Sequence, residues 1–493
     1  MDRLDPGFAS AAAALAEQTL YIDGQWARAS GDANAVVDPA SESVLANVPA
    51  ATGVEVDRAL RAAQRAKADW ARLPAASRGE HLRAMADAVA SARDDLATLL
   101  VHEVGKPLAE ARGEVDWAVS YLRYTAEWDR RLEGEAPPSD NRDELIQILR
   151  VPHGVVAAIC PWNYPVALFV RKAAPALLTG NTVVVKPSEL TPLGTLKLVS
   201  VIDQACDLPS GVLNVVTGAG DTGRALAESP LTNMVTMTGH RDTGKKVMAA
   251  AAQNLTRVSL ELGGHAPAIV CADANLPSAV RDLIIARHSN AGQVCTCAER
   301  VLVEKSIYAE FVDAYCEAVL RLRVGDPLDD VDLGPLVSAN QLAKAERAVE
   351  LAVAQGAHVV VGGNRPEVAA RGAGYWYSPT VLTNVRDDME IMREEVFAPV
   401  TPIMEIESFD EGLRIANASR DGLTAYVFTR DYRTAMRAAT EVAFGELYIN
   451  RTHGEALQGH HVGLRESGLG GEDGRHGIEK YQQLKTVYMN FSE

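Results

Sequence analysis

Short, continuous apolar runs rich in β-branched residues recur through the middle of the chain, at Val155 to Cys160, Thr182 to Val185, Val212 to Val216, Met234 to Met237 and Val258 to Leu260. Helical patterns separate them, at Phe169 to Leu178, Thr191 to Ala205, Thr222 to Glu228 and Thr243 to Asn254. Strands that alternate with helices predict a parallel α/β sheet, because parallel neighbours need a long crossover that a helix supplies. Strands buried on both faces lose the in-out alternation and read as runs like these.

A second series follows, with strand candidates at Ala266 to Val270, Arg300 to Glu304, His358 to Val361 and Ala425 to Thr429, and helices at Leu276 to Ser289, Ile307 to Leu322 and Ala339 to Gln355. Two α/β layers divided near Gly263-Gly264 are therefore expected, and 493 residues are too many for one core. Before the first series, Tyr21 to Trp26 reads as a hairpin turning on Asp23-Gly24. Apolar spacing of three and four predicts helices over Val56 to Trp70 and Ser77 to His102. Leu145 to Val151 is an outlying strand, available for pairing with another subunit. The expected organisation is one α/β domain from residues 1–128 and 152–262, a second from 263–465, and a small β element from 129–151 with 466–493.

The charge balance, 48 Lys and Arg against 65 Asp and Glu for a net of −17, argues against nucleic acid or membrane surfaces as partners. Six irregularly spaced cysteines do not form a disulfide framework and fit a reducing, cytoplasmic setting. The alanine run Ala11 to Ala14 lacks the order of a signal peptide and reads as an exposed or subunit-packing extension. No spacing of His, Cys or carboxylates suggests a metal.

Reactive groups cluster in loops. Cys295 closes Asn290-Ala291-Gly292-Gln293-Val294-Cys295, a thiol in a glycine-containing turn. Glu261 precedes Leu262-Gly263-Gly264 and offers a carboxylate as general base, first for the thiol and later for water. Cys297, two residues on, reads as a neighbour rather than a resolving thiol. Pro161-Trp162-Asn163-Tyr164-Pro165 is a stiff turn after a strand, where parallel sheets bind ligands, and Asn163 carries an amide that can face an oxyanion. Lys186 and Glu189 lie just beyond the next strand, and a carboxylate there accepts ribose hydroxyls and repels a 2′-phosphate. Two strand-to-helix loops suit a phosphate, Gly218 to Gly223 and Thr238 to Gly244, and spacing does not choose between them.

These motifs together resemble the NAD(P)-dependent aldehyde dehydrogenases. The resemblance runs from about Leu20 to Val487 and rests on Pro161 to Pro165, Lys186-Pro187-Ser188-Glu189, Met237-Thr238-Gly239 with Gly244, Glu261 to Gly264, Gly292 to Cys295, Glu394-Glu395-Val396-Phe397 with Pro399, and Ser467-Gly468. It implies a Rossmann-like cofactor domain, a catalytic domain and a β oligomerisation element. It makes Cys295 the nucleophile, Glu261 the base, and Asn163 with the Cys295 amide the oxyanion hole. It gives Lys186, Ser188 and Glu189 to the adenosine ribose, with a preference for NAD over NADP. Gly220 becomes an adenine-side residue, and Thr238, Gly239, His240 and Gly244 form the pyrophosphate loop. Pro161, Trp162, Leu262, Glu395 and Phe397 take the nicotinamide half. It also implies a homo-oligomer, dimer or tetramer, built through Leu145 to Val151 and Lys485 to Tyr488.

The chain departs from the family pattern in two places: His240 stands where Ser is common, and Ala398 replaces the usual Gly before Pro399. Within the family it is similar to the lactaldehyde/glycolaldehyde branch, through Asn290 to Val303 and Tyr448 to Gly471. That branch implies Arg171, Glu455 and His461 as substrate contacts, with Thr296 where the branch has Asn. The expected activity is oxidation of a short hydroxylated aldehyde to its acid, with hydrolysis rather than transfer to CoA because Glu261 is present. Two alternatives stand beside it. One is an anionic semialdehyde (succinate semialdehyde or sulfolactaldehyde) anchored by Arg171, and the other a redox-inactive homologue that keeps the fold.

Overall fold

The computed structural model describes residues 6–368 and 373–492. Its first sheet has eight strands in the order Gly468–Leu469, Arg257–Leu262, Met234–Gly239, Val155–Ile159, Thr182–Lys186, Leu213–Val216, Leu20–Ile22, Gln25–Ala27. The five central strands are parallel and the outer ones antiparallel. Side chains alternate between two apolar layers: Val156, Ala158, Val183 and Val185 face one, and Val155, Ala157, Val184 and Val235 the other. The chain steps outward from Val155–Ile159 through the next two strands, then crosses back to lay Met234–Gly239 on the other side. That reversal opens a crevice beyond the carboxyl ends of Val155–Ile159 and Met234–Gly239.

The second sheet has seven strands, ordered His358–Val361, Thr380–Thr383, Val400–Ile406, Ala298–Glu304, Ala266–Val270, Thr424–Phe428, Glu446–Ile449. All are parallel except the first. Three residues, Gly263 to His265, carry the chain from one sheet to the other. The carboxyl ends of the first sheet therefore meet the amino ends of the second. The two predicted series are present, and Thr380–Thr383, Val400–Ile406 and Glu446–Ile449 are added to the second. Pro402 masks the longest of these, since a proline ordinarily excludes a residue from a central strand.

The Tyr21 to Trp26 hairpin forms, with Asp23 and Gly24 at φ 59 and 75, the left-handed pair of a tight turn. The helix expected over Ser77 to His102 is two helices, Ala75–Ser91 and Arg93–Val104, broken where Ala92 leaves helical geometry (φ −102, ψ 16). The alanine run lies in the helix Pro6–Ala16, with Ala11, Ala13 and Ala14 exposed as expected while Ala12 and Ala16 are buried with Val36, Leu45 and Val48 of this same chain. The outlying strand spans Glu144–Pro152 and pairs antiparallel with Gln482–Asn490 of its own chain. Among the described residues no helix is long and apolar enough to cross a membrane.

Candidate active site

Cys295 follows the turn Ser289–Gly292, in which Asn290, Ala291 and Gly292 are all left-handed (φ 47, 54 and 75). Two non-glycine residues in that region are costly unless their surroundings hold them. A set of buried charges holds these. Glu110 accepts the Asn290 N–H at 2.8 Å, and Lys106 donates to the Asn163 carbonyl at 2.8 Å and to Glu114 at 2.6 Å. Glu114 also accepts the N–H groups of Val166 and Ala167, which caps the helix Pro165–Leu178. Glu103 does the same for Leu193 and Gly194 at the next helix. Gly292 has no alternative, because a β-carbon there would meet the Ala398 carbonyl at 2.6 Å and the Pro399 nitrogen at 2.9 Å.

Cys295 is half-buried and lines a cavity of about 150 Å³ with Asn163, Leu262, Glu395 and Phe397. Pro161, Trp162, Thr238, Gly239 and His240 complete the wall on the side of the first sheet. The Asn163 amide donates one N–H to the Gln293 carbonyl at 3.0 Å, which leaves its second N–H available. Burial pushes the Cys295 thiol up, while the neighbouring His461 imidazole pulls it back. Cys297 is fully buried, with its sulfur 3.7 Å from the Arg287 carbonyl and its thiol pushed up to about 12.

Glu261 stands at the end of the strand Arg257–Leu262, buried, and neither carboxylate oxygen has a hydrogen-bond partner. Burial raises it to about 7, with nearby His461 opposing. His461 stands beside both reactive groups: its Nε2 is 3.8 Å from Glu261, its charge acts on Cys295, and its Nδ1 is 3.0 Å from Glu446 and 3.6 Å from Glu455. Burial and Arg171 lower the imidazole, but the surrounding carboxylates, Glu446 foremost, leave it well above its ordinary value. Glu446, Glu455 and His461 also bring their ligand-capable atoms within 4.8 Å of one another, a convergence invisible in sequence spacing. The Glu446 bond to the imidazole already engages that set.

Arg171 joins this group, as the branch resemblance implies, but it is already engaged. Its guanidinium grips Asp473 with two nitrogens and lies 3.4 Å from Glu472. Lys172 holds Glu472 at 2.6 Å. The sequence reading missed Glu446, Glu472 and Asp473, which stand far along the chain from their partners. The only local sign is a carboxylate pair, Glu472-Asp473, before a glycine. Thr296 is buried beside Cys295 with no partner for its hydroxyl.

A groove of about 770 Å³ continues over the crevice of the first sheet. Lys186, Ser188, Glu189 and Gly220 line it, as do Thr238, Gly239 and His240. Lys186 is buried, donates to the carbonyls of Pro187 and Gly218, and sits 3.8 Å from Glu189. His240 caps the helix Arg241–Ala252, its Nδ1 accepting the Asp242 N–H at 3.2 Å, so Nε2–H is the donor it can offer. Gly244 does not line the groove. It lets that helix pack on the sheet, since a β-carbon would come within 2.6 Å of the Leu262 side chain. Glu395 accepts the Gly264 N–H at 3.2 Å, and burial raises it to about 8. Phe397 meets the Trp162 ring edge-on at 5.5 Å. The groove and cavity together suit a dinucleotide: a helix N-terminus and a lysine for phosphate, carboxylates for ribose hydroxyls, and the orphaned Thr238 hydroxyl.

Comparison with known proteins agrees with this geometry. Residues 26–487 match the model of the aldehyde dehydrogenase family. The chain is 44% identical to a 3,6-anhydro-α-L-galactose dehydrogenase of Vibrio sp. (strain EJY3), over 96% of this chain and 99% of that protein. It is 44% identical to the lactaldehyde dehydrogenase of Escherichia coli, over 96% of this chain and 98% of the relative. The crystal structure of the E. coli lactaldehyde dehydrogenase superposes with a TM-score of 0.94, covering 96% of this chain and 99% of that one. A betaine aldehyde dehydrogenase from Staphylococcus aureus in complex with NAD+, 35% identical, superposes at 0.93 over 96% of this chain and 97% of its own. The chain belongs to the aldehyde dehydrogenase family.

Proposed function

We propose that this member of the family oxidises a short hydroxylated aldehyde, of the lactaldehyde or glycolaldehyde type, to its carboxylic acid with NAD. One observation carries the reading: the Cys295 sulfur lines a cavity with Asn163, Glu395 and Phe397, while His461, Glu455 and Arg171 act on it electrostatically from the other side. The thiolate attacks the carbonyl carbon. The free Asn163 N–H and the Cys295 amide hold the oxygen of the resulting thiohemiacetal, a contribution worth about 3–4 kcal/mol per donor in other acyl-type sites. Lys186, Glu189 and the Thr238 to His240 loop would hold NAD, which would supply the hydride acceptor, so that loss of hydride from the thiohemiacetal carbon leaves a thioester on Cys295. Glu261 takes a proton from the thiol in the first half and from water in the second, and its pKa near neutrality suits a base that must also release protons.

Glu189 beside Lys186 supports NAD over NADP, since a carboxylate there repels a 2′-phosphate. The engagement of Arg171 weighs against the anionic semialdehyde. A guanidinium already gripping Asp473, with Glu472 and Glu455 nearby, has little charge to spare for another carboxylate. We further propose the division into residues 1–128 with 152–262, 263–465, and 129–151 with 466–493 as cofactor, catalytic and oligomerisation units. The ribbon of Glu144–Pro152 and Gln482–Asn490 exposes Leu484 and Tyr488 and serves as the contact of a homo-oligomer. The unpaired cysteines fit a reducing, cytoplasmic setting.

The test is kcat/KM for lactaldehyde, glycolaldehyde and succinate semialdehyde with NAD and NADP side by side. An order-of-magnitude preference for succinate semialdehyde would overturn the substrate reading. Equal rates for Cys295→Ala and wild type would end the covalent one.

A further inference from the structure

The carboxylates around His461 include one, Glu446, to which the reaction gives no task. It opens the strand Glu446–Ile449, and its Oε2 meets the His461 Nδ1 at 3.0 Å. Glu455, on the loop that follows, brings its Oε1 within 3.6 Å of the same nitrogen. The three ligand-capable atoms all lie within 4.8 Å of one another. Zinc bonds imidazole nitrogen and carboxylate oxygen at about 2.0–2.2 Å, and tetrahedral angles then space its ligands by about 3.3 Å. The separations of 3.0 and 3.6 Å fall on either side of that spacing. A further group stands at the opposite ring nitrogen: Glu261, buried with both carboxylate oxygens unpartnered, lies 3.8 Å from Nε2. A metal-bound imidazole almost always turns its other N–H to a carboxylate, which fixes the tautomer and strengthens the ligand.

Charge points the same way. Among the described residues neither Glu446 nor Glu455 is paired with a lysine or arginine, so two carboxylates share one imidazole. Arg171 opposes a cation here, but its guanidinium is matched by Asp473 and by Glu472 at 3.4 Å. The side chains of Glu446 and Glu455 keep 12% and 20% of their surface open, which gives an ion a way in. We propose that Glu446, Glu455 and His461 form an inhibitory zinc site, in which the ion takes the place of the proton between Nδ1 and Glu446 and leaves its fourth position to water. The displaced proton goes to solvent, and Nε2–H turns to Glu261. The ion thereby withdraws His461 and Glu455 from the aldehyde and Glu261 from the water it activates. That consequence rests on the hydroxyaldehyde reading, whereas the binding of zinc does not. Magnesium, which takes oxygen ligands in octahedral geometry, fits this set poorly.

Calorimetric titration of the chelator-treated full-length protein with zinc, without aldehyde, tests the site. Wild type should bind a single ion per chain, and magnesium at the same concentration should not bind. Glu446→Gln, whose amide oxygen can still accept from the Thr424 hydroxyl, should weaken zinc binding about a hundredfold, and Glu261→Gln about tenfold through the ring. Cys295→Ala should bind zinc as wild type does, which separates this site from capture of the ion by the reactive thiol. In turnover, zinc should raise the KM for glycolaldehyde, and Glu446→Gln should need far more zinc for the same effect. No zinc binding by wild type, loss of binding in Cys295→Ala, or undiminished binding in Glu446→Gln overturns the proposal and leaves the hydroxyaldehyde reading intact. Zinc binding as expected in a protein that oxidises no hydroxyaldehyde would instead support the site and strike the earlier reading.

Discussion

The charges that brace the backbone around Cys295 and those gathered around His461 are differently finished. In the backbone set, Glu103, Glu110 and Glu114 each accept main-chain N–H groups, and Lys106 divides its donors between Glu114 and the Asn163 carbonyl. In the set around His461, that imidazole and Arg171 are paired, yet Glu261 accepts no hydrogen bond, and the Thr296 hydroxyl next to Cys295 in the chain is also unmatched. Leaving a buried polar group unmatched costs about 1–3 kcal/mol, so a fold selected only for stability would close such gaps. The first set spends its charge on geometry, and the second keeps capacity in reserve for a reacting partner.

The sharpest way to break this contrast is Glu261→Gln. Turnover should fall by about two to four orders of magnitude, while the first hydride-transfer burst is spared more than the steady state. The fold should weaken little, because the substitution removes a buried carboxylate that accepts no hydrogen bond among the described residues and has only the His461 imidazole at 3.8 Å. Calorimetry across pH gives the sign. The folded pKa of Glu261, about 7, lies above that of an unfolded glutamate, so the folded state keeps its proton longer. Wild-type stability from this group is therefore lost as pH rises from the ordinary carboxylate range to about 7. The stabilising difference of Glu261→Gln over wild type should grow across that window and level off above it. A difference that shrinks with pH would contradict the unmatched-carboxylate picture.

Lys106→Met probes the opposite side. It leaves Glu114 buried and uncompensated and frees the Asn163 carbonyl, and should cost about 3–5 kcal/mol in denaturant unfolding. Stability equal to wild type would mean that the backbone set is ornamental. A smaller effect is expected of Gly244→Ala, about 1–3 kcal/mol, because the new methyl forces the Leu262 side chain away and unseats the helix Arg241–Ala252. NAD affinity should fall with it, measured by quenching of intrinsic fluorescence. Least of all is expected of Cys297→Ala, about 1 kcal/mol or below in stability with turnover retained, since that thiol is buried against the Arg287 carbonyl. Loss of activity there would show that the two neighbouring sulfurs act together.

What the sequence made legible follows from distance along the chain. The parallel strands were readable because burial on both faces writes itself into consecutive residues, as in Val183 to Val185. Val400–Ile406 escaped because Pro402 sits in the interior of the sheet, its ring nitrogen offering no hydrogen to the ladder. At the site, Cys295, Glu261 and Asn163 stand in local motifs whose turns and glycines announce them. Asp473 and Glu446 announce nothing, since each matters only through a partner that folding delivers, Arg171 in one case and His461 in the other. Gly244 carries a second reason that its phosphate-loop pattern does not announce, close packing on Leu262.

At Gly292 the peptide that leads to the thiol rests directly on the peptide after Ala398, with no side chain between them to absorb a shift. Glu395 and Phe397 hang from that second strip of main chain. A molecule that tugs on them moves amide planes rather than rotamers, and the sulfur rides on those planes. The speed at which iodoacetamide alkylates Cys295 should therefore serve as a gauge of dinucleotide occupancy, changing in step with saturation before any aldehyde is added.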